Sequence, residues 1–224
     1  MARTAAQRNP HPDTTPRVRQ SPADRRQAIL TAARDVFLER GYANASIDAV
    51  VERSGGSKAT VYQLFGNKEG LLAALVADGA EELTQLVENL PVEGNFEDRL
   101  RMFARGYLAL VTRPERLALF RLVVGESGRA PEIGDVFYRS GPQACGRRLA
   151  DYFRRAMAHG VLAVDDPERS AFQFIHSLRS DLYMQVLLNP TRGPTETEIE
   201  QHIEFTIRTF LDGHRAKSGA ATIG

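Results

Sequence analysis

The segment from Ser46 to Lys68 constrains the fold of this chain more than any other part of its sequence. Two short helical patterns flank the pair Gly55-Gly56, and Gly adopts the backbone conformations of a tight turn at little cost. Ser46 and Ser57 each stand just before a helical pattern, where a hydroxyl can accept hydrogen bonds from the free amides of the first turn. The pattern predicts a helix-turn-helix, whose second helix reads DNA.

The second helix of this motif is predicted to have an apolar inner face and a polar outer face. Val61, Leu64 and Phe65 fall on the side that we expect to be buried. The opposite side is rich in hydrogen-bond donors, which suit phosphate oxygens and base edges. These outer residues are Lys58, Thr60, Tyr62 and Gln63.

Residues 21–75 resemble the N-terminal DNA-binding domain of the TetR family of bacterial transcriptional regulators. The resemblance is carried by an ordered series of motifs: a helix ending in Gly41-Tyr42, Ser46 before the next helix, SKATVY in the recognition helix, and FGNKEGLL after it. Two positions depart from the family pattern. Gly56 stands where an apolar residue is usual, and Leu64 where an aromatic residue or His is common.

The outer face and the resemblance together define candidate DNA contacts. Lys58, Thr60 and Gln63 are expected to face the major groove and to determine sequence choice, with Lys58 bound either to a phosphate or to guanine O6/N7. Tyr62 and Lys68 resemble family positions that contact phosphates. The other candidates, at the helix starts, on the recognition helix and on the preceding helix, are Ser46, Ser57, Ala59, Arg25 and Arg26.

The charge distribution agrees with a DNA-binding N-terminal end. Residues 1–70 carry 11 Lys/Arg and 7 Asp/Glu, a balance of +4, whereas the remainder carries 18 and 21, a balance of −3, within a total of +1. A basic end on an acidic body suits a protein that presents that end to a polyanion. Ordinary scatter of charge remains the alternative interpretation.

The helical periods, caps and breakers predict an all-α chain of about nine helices. We expect a disordered basic arm over 1–20, a helix-turn-helix domain over 21–67, an effector-binding and dimerisation domain over 68–212, and a flexible tail over 213–224. One long helix is expected from about Glu132 to His159. The arm reaches into a minor groove, adds non-specific phosphate attraction, or is a solvated tail without a role.

Other classes of protein find little support in the sequence. Although 42% of residues are hydrophobic, no apolar run approaches the roughly 18 residues of a membrane span, and we expect a cytoplasmic protein. The single Cys, Cys145, forms no internal disulfide. The five His residues have no metal-ligand spacing, and neither a G-x-S-x-G nor a phosphate loop occurs. We expect no enzyme activity, metal or cofactor.

The last two predicted helices are apolar over an unusually wide arc, which suggests a second partner surface. The resemblance implies a homodimer here, formed as a four-helix bundle from two helices of each chain. The alternative is that both helices belong to the core of one chain. The candidate interface residues are Phe174, Leu178, Leu182, Val186, Ile203, Ile207 and Phe210.

The C-terminal part, from Phe120 onward, resembles the AefR-like subset of the same family. That resemblance implies a mostly apolar pocket for a small apolar or amphipathic molecule, whose binding weakens the hold on an inverted-repeat operator. A DNA-binding regulator without an effector is the alternative, and a cavity of roughly 300–1,000 Å³ would favour the ligand. The candidate lining residues are Phe103, Tyr107, Phe120, Phe137, Tyr138, Phe153, Met157, His176 and Arg179. We also considered an ion pair between Arg179 and Asp181.

Overall fold

The computed structural model describes residues 21–91, 94–189, 191 and 193–214. The predicted basic arm (1–20) and residues 215–224 of the predicted tail lie outside the described residues. Every secondary-structure element assigned within these residues is helical, which confirms the all-α prediction. They are α1 (Pro22–Asn44), α2 (Ile47–Ser54), α3 (Lys58–Phe65), α4 (Lys68–Glu88), α5 (Phe96–Val111), α6 (Pro114–Ser127), α7 (Pro131–Tyr138), a π-helical turn (Arg139–Gln143), α8 (Ala144–Ala158), α9 (Pro167–Leu188) and α10 (Glu196–His214).

The predicted long helix around residue 140 forms as α7, the π-helical turn and α8 without interruption. Counted as one, these segments make nine continuous helices in the described part of the chain. Pro142 lies inside the π-helical turn. Proline cannot donate the helical hydrogen bond and crowds the preceding turn, so a widened turn accommodates it within a continuing helix.

Side-chain caps begin several helices at the predicted residues. Ser21 and Asp24 form a reciprocal capping box at α1. The Ser46 and Ser57 hydroxyls each accept a backbone N–H at 3.2 Å, and Asn67 Oδ1 accepts one at 2.7 Å. These contacts satisfy amides that an isolated helix start leaves unpaired.

Buried side chains form two hydrophobic cores. The N-terminal core is built from α1 to α4 and also takes Leu119 and Val123 from α6 and Ile133 from α7. The C-terminal core is built from α4, α5, α6 and α8 to α10, and includes Leu117 from α6. Helix α1 therefore packs on α6, and α7 joins the same core through α4 and α6. The division at residues 67 and 68 stays a prediction, because α4 and α6 belong to both cores.

The structure corrects the prediction for the last two helices. Six of the seven candidate interface residues are buried within their own chain, because α9 and α10 pack on each other and on α5 or α8. Only Leu182 is partly exposed. The wide apolar arc thus belongs to the core of one chain. The buried six are Phe174, Leu178, Val186, Ile203, Ile207 and Phe210.

Across the described residues, none of the helices combines the length and the apolar character that crossing a membrane requires.

Candidate nucleic-acid interface and effector cavity

The recognition helix α3 is attached to the N-terminal core through Val61 and Phe65, which are its two buried residues. Gly55 makes the turn before it in the left-handed conformation, with φ of 67°, where a side chain would be strained. The opposite face is open to solvent. Its exposed residues are Lys58, Ala59, Tyr62 and Gln63, with Thr60 half-buried beside them.

The prediction that Leu64 faces inward is wrong, because 44% of its surface is exposed. Val61 and Phe65 lie four residues apart on one line of the helix, and Leu64 falls to the side of that line. An eight-residue helix held by two side chains has no room on the core for a third. Leu64 therefore adds an apolar group to the exposed part of α3.

Lys58 is paired with a carboxylate of the neighbouring helix. Its Nζ lies 2.6 Å from Oδ1 of Asp48 on α2, and both side chains are more than half exposed. The hydrogen bond and the charge of Asp48 raise the pKa of Lys58. The ammonium group is therefore at the expected face, with a partner that a DNA phosphate would have to replace.

The serine and threonine candidates are exposed or half-buried, and they also cap helices. The Ser57 hydroxyl accepts the Thr60 amide and lies 2.9 Å from the Thr60 hydroxyl. Ser46 accepts the amide of Ala49 at 3.2 Å. Both hydroxyls lie at helix N-termini, which favour an anion.

The basic candidates outside α3 make contacts within the protein. Arg26 lies 3.3 Å from Asp78 and places its guanidinium over the Phe65 ring. Arg25 is half-buried beside the turn at Gly56.

Lys68 caps the C-terminal end of α1 with its side chain. Its Nζ donates to the carbonyl oxygens of Tyr42, Ala43 and Ala45 at 2.9, 3.3 and 3.2 Å. It also lies 4.5 Å from the centre of the Tyr42 ring. Since an ammonium has three donors, these acceptors can use all of them. Lys68 thus has a structural role at the end of α1, and its phosphate contact stays a prediction.

A small cavity of about 40 Å³ lies where the two cores meet, and we call it the junction cavity. It takes side chains from α4, α5, α6, α7, the π-helical turn and α9. Three predicted residues line it: Phe120, Phe137 and Arg179. The lining residues that the sequence analysis missed are Val76, Ala80, Leu83, Leu110, Val111, Arg116, Leu119, Gly141, Pro142 and Tyr183.

The other predicted lining residues lie elsewhere. Phe103, Tyr107 and Phe153 are fully buried in the C-terminal core, where stacked and edge-on rings fill the space. Close ring packing, and not a ligand, explains their spacing. Of the rest, Met157 packs against that core, while Tyr138 and His176 are exposed.

Arg179 is the cation that faces the junction cavity from α9. Its Nε donates to the hydroxyl of Tyr107 at 2.6 Å. Its guanidinium carbon lies 5.7 and 5.0 Å from the ring centres of Tyr107 and Tyr183. Burial raises the pKa of Tyr107, so that hydroxyl is neutral at physiological pH. The considered ion pair with Asp181 does not form among the described residues, because Asp181 accepts from Gln185 at 2.5 Å.

Cys145 has the environment of a packing residue. It is buried, and burial raises the pKa of its thiol to about 12, so the nucleophilic thiolate is scarce at neutral pH. Within the described residues, no group of three or more His, Cys, Asp or Glu side chains could hold a metal.

Two family models match the chain. Residues 29–75 match "Bacterial regulatory proteins, tetR family", and residues 98–216 match "AefR-like transcriptional repressor, C-terminal domain". Together the matches cover the helix-turn-helix and the chain from the first turn of α5 to the end of α10.

A curated relative is similar to the N-terminal part of the chain. The HTH-type transcriptional repressor AcnR of Corynebacterium glutamicum is 38% identical over 81 residues, which are 34% of this chain and 43% of AcnR. The chain thus spans less than half the length of AcnR, here and in two other Corynebacterium species.

Solved structures match over most of the chain. The Flavonoid-responsive Regulator FrrA is 36% identical with a TM-score of 0.73, over 88% of this chain and 100% of FrrA. A putative TetR-family regulator from Mesorhizobium loti has a TM-score of 0.78 at 24% identity, over 86% and 98% of the two chains, and shows the shared fold.

Proposed function

This chain belongs to the TetR family of bacterial transcriptional regulators, and we propose that it is a homodimeric repressor released from an inverted-repeat operator by a small molecule. Regulators of this family bind DNA and function as dimers, which is not an enzymatic role. The observation that carries the proposal is the exposed polar face of α3, held outward by Val61 and Phe65. That face has the donors and the docking geometry of a recognition helix.

The expected operator follows from two copies of this helix. Thr60 and Gln63 read bases, and Lys58 contacts a phosphate or a guanine edge. Tyr62 and the starts of α2 and α3 position the domain on phosphates. Two heads on one face of the duplex are separated by about 34–36 Å, one helical turn. A dimer with two-fold symmetry therefore selects an inverted repeat.

The proposed dimer uses the outer face of α9 and α10. Burial of the inner stripe leaves three large apolar side chains exposed on these helices: Met184, Leu188 and Phe205. Large exposed apolar groups on adjacent helices are typical of an interface. The four-helix bundle is retained, with the contact moved from the inner stripe to this face.

The effector is proposed to enter the junction cavity. FrrA is flavonoid-responsive by name, which favours a flat aromatic molecule as the class to test. At about 40 Å³ the cavity holds little more than a water molecule, so a ligand must widen it. The π-helical turn with Gly141 and Pro142 forms one wall, and such an interrupted helix is a deformable place.

Widening this cavity would act on the DNA-binding domain through shared helices. Leu119 lines the cavity and also belongs to the N-terminal core. Phe137 lines it and packs against the same core. Displacing α6 and α7 therefore changes how the helix-turn-helix domain is supported, which is an allosteric coupling.

A regulator without an effector is the second candidate, and the small volume of the cavity favours it. The two candidates share the DNA-binding activity and differ in whether a ligand weakens it. The operator must therefore be found first.

Selection of random duplex DNA on the purified protein, followed by sequencing, tests the function. We expect an inverted repeat, and Tyr62→Ala should lose its enrichment while Tyr138→Ala, a change at an exposed residue outside the helix-turn-helix, keeps it. Binding without sequence preference would refute the specific repressor. Adding the flavonoid naringenin to the operator complex then separates the candidates: release supports the effector, and unchanged affinity across a panel of flavonoids supports the second candidate.

A further inference from the structure

The junction cavity contains a guanidinium, that of Arg179, for which the described residues show no carboxylate partner. Two guanidinium groups line the cavity, those of Arg116 and Arg179. Arg116 donates to the Gly79 carbonyl oxygen and lies 2.9 Å from Glu82. Its charge is therefore paired with a carboxylate outside the cavity lining.

Arg179 has neutral partners only. Its contacts are the Tyr107 hydroxyl and the faces of the Tyr107 and Tyr183 rings. Among the described residues no Asp or Glu forms an ion pair with it, and Asp181 is engaged by Gln185. A guanidinium has five N–H donors, and one of them is used in this arrangement.

Because Arg179 is half-buried, its charge loses part of its hydration, and no carboxylate of the described residues replaces that water. Removing a charge from water is unfavourable without a counter-charge, and cation–π contacts offset only part of that loss. The remaining lining is apolar and aromatic apart from Arg116. A guanidinium in such surroundings favours a carboxylate or phenolate, which it can bind with two parallel hydrogen bonds.

The backbone next to Arg179 is strained. Ser180 has φ of 35°, the only positive φ among the described residues other than Gly, and it kinks α9. A non-Gly residue in such a conformation costs on the order of 1–3 kcal/mol and is found mostly at functional sites. The strained residue directly follows the arginine that faces the cavity.

We propose that Arg179 makes the effector of this protein an aromatic anion, with its carboxylate or phenolate paired to the guanidinium and its rings beside Phe120 and Phe137. This inference rests on the proposed function, because it concerns the same cavity. It adds the charge of the ligand and the residue that recognises it. Tyr107 would keep or yield its bond with Nε, while the other four donors become available to the anion.

Two probes of nearly equal shape test the charge requirement: 2-naphthoate and its neutral amide, 2-naphthamide, titrated into the protein by calorimetry. We expect the naphthoate to bind roughly tenfold to a hundredfold more tightly, the range for hydrogen bonds to a charged group. Arg179→Gln should reduce that preference to less than about twofold. Arg169→Gln removes an exposed cation from the same helix and should leave the preference unchanged.

A second variant, which keeps the positive charge, tests the proposal even if Arg179→Gln fails to fold. Arg179→Lys should retain a preference for the acid, reduced because an ammonium cannot form the bidentate pair. Equal affinity of acid and amide for the unmodified protein, or an undiminished preference in a folded Arg179→Gln variant, would refute the proposal. Binding of neither probe would refute it too. Operator selection needs no ligand, so it would still succeed if only the anion preference were wrong.

Discussion

The recognition helix α3 and the last helix α10 relate burial to function in opposite ways. Helix α3 buries two of its eight residues, and its outer face carries the proposed DNA contacts. Helix α10 buries five residues within its own chain, and its exposed face carries Phe205. In both helices, only the side chains that are not buried in the core can contact a partner. The short helix α3 exposes most of its circumference. The longer amphipathic helix α10 exposes its polar side and a few apolar side chains.

The largest effect on stability is expected from a charge placed on the buried face of α10. Ile203→Asp places a carboxylate in the C-terminal core, where Ile203 is fully buried. A buried unpaired charge costs several kcal/mol, enough to unfold a domain of ordinary stability. Circular dichroism should show loss of the thermal transition near room temperature.

Phe205→Glu is the matched change on the exposed face, two residues away. Phe205 is 59% exposed, so the fold should persist, while sedimentation should show a monomer in place of the dimer. A folded dimer from Ile203→Asp would contradict the assigned burial of α10. A dimer of undiminished affinity from Phe205→Glu would place the interface elsewhere on the surface.

The next effect concerns operator affinity, through the pair formed by Lys58 and Asp48. Lys58→Ala should weaken binding about tenfold and reduce the salt dependence by roughly one counterion, as expected for the loss of one phosphate contact. Asp48→Asn should act in the opposite direction, because it releases Lys58 and removes a negative charge near DNA. Fluorescence anisotropy at several salt concentrations measures both. Similar weakening by both changes would mean that the pair supports the helix-turn-helix and does not compete with DNA.

A smaller effect is expected from the two glycines of the turn. Gly55→Ala should lower the free energy of unfolding by about 1–2 kcal/mol, because Gly55 is left-handed. At Gly56 an added Cβ would meet only Ser54 Oγ at 3.5 Å and Arg25 Nη1 at 3.8 Å, which are ordinary contacts. Gly56→Ala should therefore stabilise by about 0.4–1 kcal/mol, through the unfolded chain. Urea denaturation separates the two, and equal losses would show that Gly56 is also needed for the turn.

The smallest effect is a pH dependence in the C-terminal domain. A hydrogen bond from Arg101 lowers the pKa of Glu204, joining α5 to α10 at the surface. Because the folded pKa lies below the unfolded value, the stabilisation is complete above the ordinary carboxyl pKa and is lost as pH falls through the lowered one. Glu204→Gln should cost less than about 1 kcal/mol at neutral pH. Thermal melts of the two proteins should converge in acid, and a difference that persists there would refute an ionic origin.

Local sequence signals determined the fold class, the starts of several helices and the position of the recognition helix. Ser46, Ser57 and Asn67 satisfy the first amides of the helices that follow them, and Gly55 takes the left-handed turn. Such contacts join residues two to four positions apart, so the sequence contains all of their participants.

Tertiary structure alone decided which apolar face meets which partner. The apolar stripe that contains Ile203 has the same sequence pattern whether its own chain or a second copy buries it. The hydrophobic effect depends on the apolar area removed from water and not on which chain covers it. Leu64 is exposed because two neighbours already occupy the core. The junction cavity gathers residues from Val76 to Tyr183, and Arg179 pairs with Tyr107, 72 positions away, and not with Asp181. Contacts over such separations depend on how the helices pack, which no local pattern records.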